Sequence, residues 1–183
     1  MYRGYDPADG GCAGVFYADV PAFDLAVTEF PYDLNSEKYV PETAVCFSSV
    51  SNLPAYEEFS DLFGNDIDWD DYDAAVQRFG VETDCDTEEI CKLLGYADLI
   101  QGSIIWECEM IAEGFYCGKP AELTPAQKEH VRQRSADWVL LAQFGTLSDE
   151  LMFGDCGSIY FHIRKVDLKN RHFGNIHLSL QCG

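Results

Sequence analysis

Residues 138–164 leave this chain little conformational freedom. They read W-V-L-L-A-Q-F, then a polar stretch bearing Gly and Asp, then G-D-C-G-S-I-Y-F-H-I-R. Ile159, Phe161 and Ile163 alternate with Tyr160, His162 and Arg164. That period of two marks a half-buried strand, because successive side chains leave opposite faces of a pleated backbone. Trp138 to Phe144 is almost continuously apolar, which suits a strand covered on both faces. Two strands joined by a polar turn region are therefore expected here. The alternation puts His162 opposite Ile159, Phe161 and Ile163, and it leaves open whether that face meets solvent or is covered.

The rest of the chain is read around this pair. Residues 1–12 are rich in Gly and Asp and read as loop, 13–20 as a first strand, 21–39 as irregular, and 44–50 as a second strand. Leu53-Pro54 opens a helix to about Phe63, closed by Gly64. Trp69, Tyr72, Val76 and Phe79 sit three and four apart, so a second helix runs to Phe79 and stops at Gly80. Asp86 and Glu89 read as a cap and its partner, opening a helix that buries Ile90, Leu93 and Leu94 and ends at Gly95. Residues 103–111 alternate and read as a third strand, with Trp106 and Cys108 on one face and Ile105, Glu107 and Glu109 on the other. Thr124-Pro125-Ala126-Gln127 is a capping box with Pro at the first helical position, and the helix runs to about Ser135. A short helix or turn at 166–170 and a last strand at 175–182 complete the pattern. Without regular strand–helix alternation, the expected class is α+β, a mainly antiparallel sheet with helices packed to one side, in one domain over residues 1–183.

Charge narrows the partners. Of 32 Asp and Glu and 12 Lys and Arg, residues 1–120 hold 25 acids and 5 bases, while residues 121–183 hold 7 of each. Such acidity repels nucleic acid phosphates and attracts a basic protein or a cation. No apolar run approaches the roughly 18 residues of a membrane span, and residues 1–6 carry no apolar leader core, so a cytoplasmic setting is expected. The eight cysteines (12, 46, 85, 91, 108, 117, 156 and 182) include no C-x-x-C pair. They are expected to be reduced, buried and small, with no structural metal and no cofactor.

Four constellations bear on function. The acids Glu57, Glu58, Asp61, Asp66, Asp68, Asp70, Asp71 and Asp73 form a candidate contact surface. Asp66, Asp68 and Asp70 match the first positions of a calcium loop, but Asp71 stands where the loop needs Gly and Gln77 where it needs Glu. The positive end of a helix dipole already accounts for these acids. Gly154-Asp155-Cys156-Gly157 offers a thiol with His162 as a candidate base and Asp155 beside it, the minimum for a Cys–His hydrolase. A turn needing positive φ explains the same glycines. Glu107 and Glu109 read as a solvated strand face rather than an acid/base pair. Gln101, Gln143 and Gln181 either satisfy neighbouring backbone groups or line a pocket.

L-L-G-Y-A-D-L-I-Q (93–101), W-V-L-L-A-Q-F (138–144), F-G-D-C-G-S-I-Y-F-H-I-R-K-V-D-L (153–168) and L-S-L-Q-C (178–182) follow one another in an order that resembles the YwqG-like family, a bacterial domain of unknown function. The resemblance covers the chain from about Tyr5 to its end. It implies an α+β cytoplasmic protein and brings no established activity. Gene neighbourhoods in that family suggest an immunity role toward a secreted toxin. Against the family pattern, Met1 falls where the family is already under way, so a shortened N-terminus is expected, with a second copy covering the missing sheet edge as a homodimer. Ala142 replaces a leucine of the family run, a local packing change.

The expected function is thus a non-catalytic interaction protein with an acidic surface, docking a basic protein partner and neither nucleic acid nor membrane. The competing expectation is a small-ligand binder or Cys–His hydrolase built on Gly154–Gly157.

Overall fold

In the computed structural model of this chain, residues 13–29, 32–33, 44–64, 66–79, 90–115, 122–147 and 151–183 are described. Their frame is a four-stranded antiparallel sheet of order β1 (Lys92–Leu93), β2 (Trp138–Gly145), β3 (Ser158–Arg164) and β4 (His177–Gln181). Among the described residues the helices are α1 (Tyr56–Phe63), α2 (Trp69–Phe79), α3 (Ile104–Ala112), α4 (Pro125–Ser135) and α5 (Lys165–Lys169). The fold is α+β, as the patterning implied.

The β2–β3 ladder pairs Trp138 with Arg164 and Leu140 with His162, then shifts, so that Ala142 faces Phe161 and Gln143 faces Tyr160. The extra residue, Leu141, is a bulge that turns Gln143 rather than Ala142 onto the face carrying Leu140. β4 continues the sheet by pairing Ser158 with Gln181 and His162 with His177.

The face this pairing creates is polar and buried. Ser158, Tyr160, His162, His177, Ser179, Gln181 and Gln143 all lie on it, with His177 and Ser179 against Glu107 of α3 and Gln143, Tyr160 and Gln181 against segment 98–102. Ile159, Phe161, Leu178 and Leu180 take the outer face, half-buried, with Phe144 edge-on to Phe161 at 6.1 Å. Most of the polar groups on the inner face are used, while Gln143 Nε2 and His162 Nδ1 have no hydrogen-bond partner among the described residues. Gln143 Oε1 accepts from Asp98 N at 3.0 Å, and Gln181 Oε1 accepts from Ile100 N and Gln101 N at 3.0 and 2.9 Å. Gln181 Nε2 donates to Gly102 O and the Tyr160 hydroxyl to Asp98 O, each at 2.8 Å. Segment 97–103 has no ladder of its own, and sheet side chains satisfy its backbone. Of the two readings of the glutamines, backbone satisfaction holds for Gln143 and Gln181. Gln101 is exposed and donates to Cys182 O.

Residues 103–111 form a helix, not a strand. Ile104, Ile105, Cys108 and Glu109 are its buried stripe, and Ser103 caps it by accepting from Trp106 N. Its core partners are Ala97, Trp138, Leu140 and Tyr160. Residues 13–20 and 44–50 form no strand; they are irregular and largely exposed. The helix expected from Asp86 to Gly95 falls partly on 81–89, outside the described residues. Within 90–95 there is the short strand β1 and then a turn in which Leu94 and Gly95 have φ of 62° and 78°. The loop expected at 1–12 lies outside the described residues, as does the 116–120 part of a loop expected over 114–120. α1 and α4 follow expectation: Gly64 ends α1 at φ 73°, and Thr124 and Gln127 form the reciprocal capping box of α4.

The cysteines divide. Cys108 is buried, and burial pushes its thiol well above the ordinary range. Cys46, Cys91 and Cys156 are exposed, against the expectation that all would be buried. All described cysteines are free.

Candidate functional site

The Gly154–Gly157 turn does not assemble a nucleophile. Cys156 and Asp155 are exposed in the turn just before β3, where Cys156 has φ 52° and its sulfur lies 4.0 Å from Met152 Sδ. His162 is four residues into β3, roughly 13 Å along the strand from Ser158, on the inner face and 1% exposed. Burial, and secondarily the neighbouring His177, lowers its pKa to about 3, so the imidazole is neutral at physiological pH. The structure therefore separates the thiol from its candidate base. Gly157 is required by packing: a Cβ there would run into the Gln181 and Phe153 carbonyl oxygens.

The acidic residues split by depth. Glu57, Asp66, Asp68, Asp70, Asp71 and Asp73 are exposed on and around α1 and α2. Asp68 accepts from Asp70 N at 2.9 Å, the helix-start role read from the sequence. Asp61 is half-buried and its pKa is raised by burial, with Arg132 of α4 opposing. Glu58 does not belong to the surface at all. It is 2% exposed, and its Oε1 accepts from Ile104 N at 2.9 Å, Ile105 N at 3.1 Å and Ser103 Oγ at 3.4 Å. It thus caps α3 from another helix. Burial raises its pKa despite these bonds.

Between the acids lies an aromatic cluster that the sequence reading treated only as a helix stripe. Tyr56 meets Trp69 and Tyr72 edge-on at 4.9 and 5.3 Å, and Phe59 packs on Phe63 at 4.7 Å. The Tyr72 hydroxyl donates to Pro54 O at 2.9 Å, pinning α2 to the entry of α1. Trp69 is nonetheless 57% exposed and Phe63 50%.

Glu107 and Glu109 are not a solvated strand face. On α3 they point toward the sheet, and Glu109 is fully buried. Its carboxylate accepts from Trp138 Nε1 at 2.9 Å, Arg164 at 2.7 Å and Arg134 at 3.1 Å. Burial pushes its pKa up, but these donors and the Arg164 charge outweigh that and hold it below the ordinary carboxylate value. Arg164 also stacks over the Trp138 ring at 4.6 Å. Glu107 accepts from Ser179 Oγ at 2.9 Å and meets His177 Nε2 at 3.4 Å. Among the described residues, Glu109, Glu113 and His130 alone bring three ligand-type atoms within 4.8 Å of one another. Both oxygens of Glu109 are already engaged by Arg134, Arg164 and Trp138, and guanidinium charge at that point disfavours a cation.

A cavity of about 350 Å³ lies beside this network, between α1, α3 and the β2–β3 ladder. Leu62, Ile105, Trp138 and Leu140 line it, together with Glu58 and His162. His162 Nδ1 has no hydrogen-bond partner among the described residues. A second hollow of about 320 Å³, lined by Leu94, Leu168 and Lys169, shares Val139, Leu140 and Lys165 with it.

Among the described residues no helix is long and apolar enough to cross a membrane. A family model described as "Domain of unknown function (DUF1963)" matches residues 1–182. No curated protein and no solved structure matches the chain.

Proposed function

We propose that this chain, which belongs to the DUF1963 family of domains of unknown function, is a non-catalytic binding protein that docks a basic protein segment on α1 and α2. Within the family, the four segments that resemble YwqG-like sequences support placing it in that branch. One observation carries the functional reading: Trp69, 57% exposed, stands among the exposed carboxylates Asp68, Asp70, Asp71 and Asp73. A large ring left in water among like charges is poor use of apolar area, but it suits an Arg-bearing partner. Guanidinium groups pair with the carboxylates and stack on the indole face, a contact worth roughly 0.5–2 kcal/mol. The acidic field would accelerate encounter and make it salt-sensitive. An immunity-like role toward a basic toxin is one form of this function. The separation of Cys156 from His162 gives the hydrolase alternative no such support.

The test uses a labelled oligo-arginine peptide as probe and compares two variants of equal charge change. One neutralises Asp68, Asp70 and Asp71 to Asn. The other neutralises Asp24, Glu29 and Asp155, exposed acids elsewhere on the chain. The expected result is a much larger affinity loss and a flatter salt dependence in the first, with Trp69→Ala erasing the preference for oligo-arginine over oligo-lysine. Equal losses in the two variants would mean that the net charge alone acts and that no docking surface exists there.

A further inference from the structure

The two hollows meet on an edge of the sheet, and docking of a basic partner on α1 and α2 makes no use of that edge. We propose that it is a docking site for the free C-terminus of an extended, apolar peptide, which adds to β2 as a short strand and sets its terminal carboxylate against Lys165 and Lys169.

β3 occupies one edge of β2, and β1 occupies the other only in part. β1 pairs Lys92 with Gln143 and Leu93 with Ala142, and the last bond along it runs from Leu94 N to Leu141 O at 3.2 Å. Leu94 and Gly95 then take φ of 62° and 78°, and the chain turns onto the inner face, where Asp98 N meets Gln143 Oε1. Among the described residues no strand continues β1 past Leu140, Val139 and Trp138. Backbone N–H and C=O groups point alternately to the two edges of an antiparallel strand, so at least one of these three residues offers both to the uncovered edge. Both hollows are lined by Val139 and Leu140, consecutive residues whose side chains leave opposite faces. The space they share therefore runs across the strand edge.

The edge sets the class of occupant. An alkyl or aromatic ligand would bury those backbone groups unpaired, whereas an extended peptide pairs with them. The larger hollow, about 350 Å³ and walled by Leu62, Ile105, Trp138 and Leu140, takes an apolar side chain. Glu58 on the same wall is already engaged by the Ile104 and Ile105 amides. Direction sets which end of the peptide lies where. A peptide in line with β1 runs antiparallel to β2, toward Trp138, and Lys165 N donates to Asp137 O at 2.8 Å, so α5 begins at that end. Lys165 and Lys169 sit one turn apart on α5, and both line the outer hollow. Neither belongs to an ion pair among the described residues, and Lys165 Nζ donates to the Ala136 carbonyl at 2.6 Å. In a chain of formal charge -20, two such lysines at the end of an open strand edge suit a single carboxylate.

The probes are fluorescein-labelled Thr-Val-Thr-Leu with a free C-terminal carboxylate, the same peptide ending in an amide, and the free acid with its two central backbone nitrogens methylated. Each is titrated into the full chain by fluorescence anisotropy, with hydrogen exchange of the 138–140 amides followed by NMR. The expected result is binding of the free acid about three- to tenfold tighter than the amide, the range two partly exposed ion pairs allow. Backbone methylation keeps the side chains and removes ladder donors, and it should weaken binding about fivefold or more. The free acid should slow exchange of at least one amide among 138–140. Lys165→Gln combined with Lys169→Gln should bring the free acid down to the affinity of the amide and leave the amide unchanged. Equal binding of acid and amide, or binding indifferent to methylation, would overturn the proposal and leave only an apolar hollow. So would no binding of any probe, or protection of the same amides by raising the concentration of the chain alone, which would put a second copy on the edge.

Discussion

Glu58 and His162 show how a single side chain can reverse the meaning of its residue type. Glu58 sits in an acidic run and reads as surface, yet it terminates α3 from inside the molecule. Replacing it with Ala leaves two buried amides without an acceptor, and urea denaturation should show a loss of roughly 3 kcal/mol; Gln, which keeps an acceptor oxygen, should lose roughly 1. Its pKa is raised by burial. Between the unfolded value of 4.5 and its higher folded value, the native state therefore holds the proton that the unfolded state has released. Stability from this group is full below 4.5 and falls as pH rises through the folded value, and the Glu58→Gln variant should lose that slope. His162 acts with the opposite sign. Its folded pKa is lowered from 6.5 to about 3, so the unfolded state binds more protons across that window. Stability should fall as pH drops from 6.5 toward 3, and thermal midpoints of His162→Phe measured across that range should lose this component of the fall.

At the scale of elements, local chemistry was legible and remote chemistry was not. The α4 box at Thr124 and Gln127 is written in adjacent residues, and it formed. Thr124→Ala should cost about 1 kcal/mol in chemical denaturation, with Pro125 still favouring the first turn. The hairpin strands were legible because their alternation is local, and so was the stop of α1 at Gly64. α3 was misread because Ile104, Ile105 and Trp106 are β-favouring types, while the group that completes its N-terminus comes from residue 58. No window over 103–111 contains that carboxylate. Glu109 was misread for the same reason: its Arg134 and Arg164 partners lie 25 and 55 residues away. The cavity followed from neither period nor motif, since it exists only where α1, α3 and the ladder meet.

For the whole molecule, two features set behaviour. The formal charge of -20 should make any association with a basic partner weaken steeply with salt, as the paired charge variants would test. Among the described residues, β1 and β4 leave the sheet open at both ends, and β1 spans only two residues. Light scattering at low and high salt separates the outcomes: a dimer at both would place a second copy on an edge, and a monomer would show the open sheet to be self-sufficient. The sheet also turns its polar residues inward, and this has a consequence for genetics. An oily interior accepts one aliphatic residue for another, but Gln143, Tyr160 and Gln181 each hold a particular backbone group. A saturation mutagenesis scan of this protein will show intolerance at those three positions of the kind usually taken to mark a ligand contact, and the cause will be architectural.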